Sequence, residues 1–135
     1  MKSKVYPKIA GKLRRLTTSE ILSGLFLSFG ARTFREDQLY DFFHRLYGGG
    51  LSRFEVVREG GRYFSEPLRT TLSFFEMGQM VEVLEGDYYR PRASLFDSMR
   101  GELISREVLP RDKDLFDELA RLFAEVVEEG KVSKK

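Results

Sequence analysis

The 135-residue chain is 41% hydrophobic and 13% aromatic, with twelve Phe and no Trp, which is enough apolar mass for one domain with a real core. Its 23 Lys and Arg nearly balance 21 Asp and Glu, and a net charge of +2 selects neither for nor against a nucleic-acid partner. The absence of Cys excludes a disulfide scaffold, Cys-ligated zinc and thiol catalysis, and it fits a cytoplasmic protein.

Residues 1–16 carry Lys2, Lys4, Lys8, Lys12, Arg14 and Arg15 with no acid. They read as a basic N-terminal arm ahead of one domain, 17–130, with a basic tail over 131–135. A basic start followed by Leu25-Phe26-Leu27 has the outline of a signal peptide. The apolar run 21–31 is broken by Ser23, Gly24, Ser28 and Gly30, however, and is too short to span a bilayer. No membrane partner is expected.

Ser/Thr-x-x-Glu occurs three times ahead of an apolar-periodic stretch: Thr17 with Glu20, Thr33 with Glu36, and Ser52 with Glu55. In this capping box the hydroxyl accepts one unpaired helix N–H while the Glu reaches back to another. A first helix is predicted over about 18–29, with Ile21, Leu22, Leu25, Phe26 and Phe29 on one face and Gly30 as its end. A second is predicted over about 34–47, with Leu39, Phe42, Phe43, Leu46 and Tyr47 buried and Gly48-Gly49-Gly50 as the stop. Residues 52–64 fit two readings. One is a short helix over 53–59 capped by Ser52; the other is a hairpin turning at Gly60-Gly61. The repeated capping box favours the helix.

Pro67 suits a first turn, and Leu68, Leu72 and Phe75 give the next helix, about 67–77, its inner face before Gly78. Residues 80–84 alternate with period two, Gly86-Asp87 signals a tight turn, and Tyr88-Tyr89-Arg90 returns. A helix over about 93–106 follows, weakened by Gly101. The last, about 111–129, has the widest stripe: Leu115, Phe116, Leu119, Leu122, Phe123, Val126 and Val127, with Gly130 closing it.

The order short helix, turn, helix, Gly, strand, tight turn, strand across residues 52–92 resembles the winged-helix superfamily. The expected fold is mainly α with a small β-hairpin, a winged-helix-like core flanked by extra helices. The resemblance implies that 67–77 is a recognition helix for double-stranded DNA, with the hairpin as the wing. Arg69, Thr70 and Ser73 would then face the groove or phosphates, Arg90 and Arg92 would stand at the wing base, and Lys12, Arg14 and Arg15 would wrap the backbone. Glu66, Glu76, Glu85 and Asp87 oppose this role, since DNA affinity depends on neutralising phosphate.

The rival expectation is a protein-interaction or assembly module. Leu115, Leu119, Leu122 and Val126 follow a 4-3-4 spacing that suits a homodimer seam, although the same stripe also suits the chain's own core. Tyr88 and Tyr89 point to opposite faces of a strand, and Tyr89, beside Arg90, is the candidate interface anchor. Catalysis, metals and cofactors find no motif. His44 is the only histidine, Gly48-Gly49-Gly50 has no lysine behind it, and no Gly-x-Ser-x-Gly elbow occurs. No enzyme activity is expected.

Overall fold

Thr17 opens α1 (Thr18–Phe29) as its spacing predicts. Its hydroxyl accepts the Glu20 N–H at 3.1 Å, and the Glu20 carboxylate accepts the Thr17 N–H at 2.9 Å. Gly30, at φ 85°, ends the helix. The computed structural model describes residues 8–46, 54–86, 88–92, 94, 97, 101 and 108–132.

The second capping box does not form. Phe34 and Arg35 are extended as β1, and α2 (Glu36–Leu46) begins only after them. Gln38 performs the capping instead: its side-chain oxygen accepts the Arg35 N–H at 2.8 Å. The Gly48-Gly49-Gly50 stop lies outside the described residues.

The helix expected over 53–59 is replaced by a hairpin. β2 (Val57–Glu59) and β3 (Arg62–Phe64) pair antiparallel, with Val57 opposite Phe64 and Glu59 opposite Arg62. Gly60 and Gly61 sit at φ 59° and 81°, the left-handed pair that a two-residue hairpin turn demands and that Gly adopts without a Cβ clash. Glu55, at φ 48°, is not helical either, so the Gly-Gly turn outweighs the cap signal. Ser52 itself lies outside the described residues. Aromatic contacts hold the hairpin to α2: Tyr63 stacks on His44 at 4.2 Å and Phe64 meets Tyr40 edge-on at 5.6 Å.

α3 (Glu66–Met77) is capped by Ser65, whose hydroxyl accepts the Leu68 N–H at 3.2 Å and donates to the Phe54 carbonyl. Leu68, Leu72 and Phe75 point inward, as the spacing predicts. Its C-terminal left-handed residue is Gln79, at φ 61°, while Gly78 keeps φ −81°. β4 (Val81–Leu84) and β5 (Tyr88–Pro91) form the second hairpin, with Gly86 at φ 81° in its turn. β1 joins its far edge, so the sheet order is β1-β5-β4, with Phe34 opposite Tyr89.

Most of the helix expected over 93–106 lies outside the described residues; 94, 97 and 101 are helical. The last described element is α4 (Val108–Val132), which continues through Gly130 and is kinked at Asp112, where φ is −112° and ψ is 19°. The result is mostly helical with small antiparallel sheets.

The core is aromatic. Phe123 of α4 lies 4.9 Å from Phe29, 5.4 Å from Phe34 and 5.3 Å from Phe42. Gly24 lets α1 and α4 close up: a Cβ there would stand 2.4 Å from the Phe116 ring. Residues 8–16 also belong to this body and do not form a loose arm. Residues 8–12 are helical, and Ile9, Leu13 and Leu16 are buried in the core cluster. Their apolar faces at helical spacing explain the docking, which the run of charges conceals in the sequence. Residues 1–7 lie outside the described residues. Among the described residues, no helix is long and apolar enough to cross a membrane.

Candidate functional site

α3 lies on the body through Leu68, Leu72 and Phe75, which leaves Glu66, Arg69, Thr70, Ser73, Phe74, Glu76 and Met77 exposed. The side of this helix that faces α2 is governed by Glu36. Its side chain is only 16% exposed and accepts three donors from three elements. Arg69 Nη1 of α3 donates to Oε2 at 2.6 Å, Tyr89 of β5 donates its hydroxyl to Oε1 at 3.1 Å, and the Tyr40 hydroxyl donates to Oε2. Burial, followed by the Glu36 charge, pushes the Tyr89 phenol up to about 12. Burial and its bond to Glu36 drive Tyr40 well above the usual phenol range. Both phenols therefore stay protonated donors, and Glu36 ties α2, α3 and the second hairpin together.

The residues expected to meet DNA are scattered by this arrangement. Arg69 is the Glu36 partner described above, while Thr70 and Ser73 are exposed on the outer face of α3. Arg90 is folded back onto Glu82 across the hairpin, with Nη2 and Nε at 2.8 and 3.0 Å from Oε1. Arg92 is exposed at the hairpin base, and its N–H donates to the Met80 carbonyl at 2.8 Å. Lys12 and Arg14 are exposed on the docked N-terminal segment. Arg15 reaches Asp112 at 2.5 Å, and Arg111 Nε joins the same carboxylate at 3.0 Å. Asp112 is only 4% exposed, so this pairing fastens the N-terminal segment to the kink of α4.

The residues expected to hold a partner are mostly internal. Leu115, Leu119, Leu122 and Val126 are all buried in the chain's own core, where α4 runs along α1. The stripe is therefore spent on intramolecular packing and leaves little area for a seam. Tyr89 is buried too. Its register partners across the sheet are Phe34, which is buried, and Val83, which is exposed, and its ring stacks on Phe34 at 5.9 Å. Arg90, its neighbour in sequence, points to the other face, as strand alternation requires. His44 is half-buried against Tyr63, and among the described residues no cluster of three or more acidic, His or Cys side chains could hold a metal ion.

Large apolar side chains also stand in water on α3 and β4. Phe74 is 64% exposed and Met77 78% exposed on α3, and Val83 of β4 is 45% exposed. Phe74 could have been found: at 100° per residue it falls well outside the face set by Leu68, Leu72 and Phe75. Beside this surface, on the Glu36 side of α3, lies a cleft of about 830 Å³. Arg35 lines it from β1, and Glu36, Asp37 and Tyr40 line it from α2. Arg62, Tyr63 and Phe64 line it from β3, Arg69 from α3, and Gly86 and Tyr89 from the second hairpin. Comparison with family models, curated proteins and solved structures finds no match to this chain.

Proposed function

We propose that the chain is a winged-helix-like protein-interaction module whose docking face is the outer side of α3 with the β4–β5 hairpin. The fold part of this reading draws on element order. A helix, a strand and a second helix precede α3, and a hairpin follows it with β1 on its far edge. That order resembles the winged helix, with α2 as the helix ahead of the recognition position and β2–β3 as an insertion between the two. The expected first helix over 53–59 has no part in it.

The observation that carries the functional part is the pair Phe74 and Met77, exposed on the helix that would otherwise read bases. Large apolar side chains left in water on a short helix favour a protein partner, because burying them gains free energy roughly in proportion to apolar area. A duplex backbone offers them nothing comparable, and Glu66 and Glu76 on the same helix repel phosphate. The DNA reading draws its support from exposed Thr70, Ser73, Arg92, Lys12 and Arg14. It loses weight because Arg69 and Arg90 already hold carboxylates within the chain.

Titration against generic duplex DNA over a salt series separates the two. No binding at low salt is expected. Affinity that falls steeply with added salt, and is weakened by Thr70→Ala with Ser73→Ala, would overturn the interaction reading in favour of DNA. A photo-crosslinking residue placed at position 77 should capture one protein reproducibly in cells, and the same residue at exposed position 121 should not.

A further inference from the structure

We propose that the cleft between β3, the start of α2, α3 and the second hairpin is a binding site for a small organic oxyanion, a carboxylate or phosphate ester carried on a planar ring. Its volume of about 830 Å³ falls in the range of small-molecule sites, roughly 300–1,000 Å³. Guanidinium groups converge on it from three elements: Arg35 on β1, Arg62 on β3 and Arg69 on α3. Glu36 and Asp37 offset two of these charges, Glu36 through Arg69 at 2.6 Å and Asp37 through Arg35 at 3.0 Å. One positive charge remains in surplus. It resides on Arg62, which is exposed and is paired with neither carboxylate that lines the cleft, Glu36 and Asp37 being held by Arg69 and Arg35.

The same pairings decide what class of ligand fits. A cation would need a carboxylate, but Glu36 is already occupied by Arg69 and two phenols, and Asp37 by Arg35. A neutral sugar is best held by donors and strong acceptors together, and the carboxylate acceptors here are already engaged, Glu36 by Arg69 and two phenols and Asp37 by Arg35, so the cleft presents chiefly guanidinium N–H donors. What remains is the fork of Arg62, together with the half-exposed Arg69, whose geometry matches two oxygens of a carboxylate or phosphate. Phe64 and Tyr40, in edge-to-face contact at 5.6 Å, give the cleft an apolar wall against which a ring can lie. The site is independent of the docking face, with which it shares only the α3 scaffold and the second hairpin.

Isothermal titration of the full chain with phenyl phosphate, benzoate and inorganic phosphate tests the proposal. Phenyl phosphate, benzoate or both should bind saturably at one site and more tightly than inorganic phosphate. Arg62→Ala should weaken that binding by about tenfold or more, the effect of losing one good charge-assisted contact. Arg121→Ala, on the exposed face of α4, should leave it unchanged. The proposal fails if neither ring compound binds saturably up to about 10 mM, a range that reaches the weakest specific contacts. It fails equally if Arg62→Ala binds as the parent does, or if inorganic phosphate binds as tightly as both ring compounds. A circular dichroism spectrum of the Arg62→Ala protein identical to the parent's keeps the comparison valid.

Discussion

Along α1 and α4, Phe123 meets Phe29, Phe34 and Phe42 at 4.9 to 5.4 Å, and the helices close over Gly24, with a polar contact at the exposed rim, where the Ser28 hydroxyl donates to Asp117 at 2.9 Å. Between α2, α3 and the second hairpin the central tie is one carboxylate, Glu36, with two phenols and a guanidinium around it. The first region is stabilised by area removed from water and by close packing, which tolerate no vacancy. The second is stabilised by hydrogen bonds whose net worth is modest and whose failure is costly only where a buried group loses its partner. The difference predicts where a substitution unfolds the chain and where it merely loosens one face.

The largest effect belongs to the aromatic body. Phe123→Ala should destabilise by about 3–5 kcal/mol, since a fully buried ring with three aromatic neighbours leaves a cavity that cannot collapse. Urea unfolding measures it, and a loss below about 1 kcal/mol would mean that the body is far looser than its packing implies. Gly24→Ala comes next, at about 1–3 kcal/mol, because its methyl would collide with the Phe116 ring. The gain in helix propensity, about 1 kcal/mol, is too small to reverse the sign. The double variant Gly24→Ala with Phe116→Leu should recover part of the loss if that collision is the cause.

The polar tie should respond more weakly. Glu36→Gln is expected to cost about 1–2 kcal/mol, chiefly through the two phenols, because the half-exposed pair with Arg69 is screened by solvent. A pH series sharpens the point. Phenols in an unfolded chain ionise near about 10, whereas Tyr89 is held up to about 12 and Tyr40 is shifted in the same direction. The folded state therefore binds these protons more tightly. Its stabilisation from them is complete below about pH 10 and is lost as pH rises through the folded value. Tyr89→Phe should flatten that alkaline fall, and an unchanged slope would count against the assignment of Glu36 as the shared acceptor.

The smallest effect on stability falls on the docking face. Phe74→Ser with Met77→Ser should alter unfolding by no more than about 0.5 kcal/mol each, since both side chains already stand in water. In a chain that carries the crosslinking residue at position 77, Phe74→Ser alone should abolish capture of the partner. A large destabilisation would show that these residues cover the body and are not a docking surface.

The parts of the fold legible in the sequence are those whose causes are local. α1 begins and ends where Thr17 and Gly30 predict, because cap chemistry acts within one turn. The inner face of α3 and the β4–β5 hairpin follow from residue spacing and Gly86 for the same reason. The stripe on α4 is equally plain, but period alone does not say whether a neighbour or a second copy covers it. The fold assigns Leu115, Leu119, Leu122 and Val126 to the core. Residues 53–64 carried two local signals in conflict, and the hairpin prevails with Gly60 and Gly61 in the turn and Tyr63 and Phe64 against α2.

The candidate site was the least legible region, because its bonds cross long stretches of chain. Glu36 meets Arg69 from 33 residues away and Tyr89 from 53. Nothing in the neighbourhood of any of the three marks the others as partners. Residue identity fixed that Arg69 is cationic and that Tyr89 carries a ring and a hydroxyl. Only the tertiary arrangement turned the first toward a carboxylate and the second inward. Local spacing sets which face of an element is apolar, whereas the partner of a charge depends on which elements come to lie side by side.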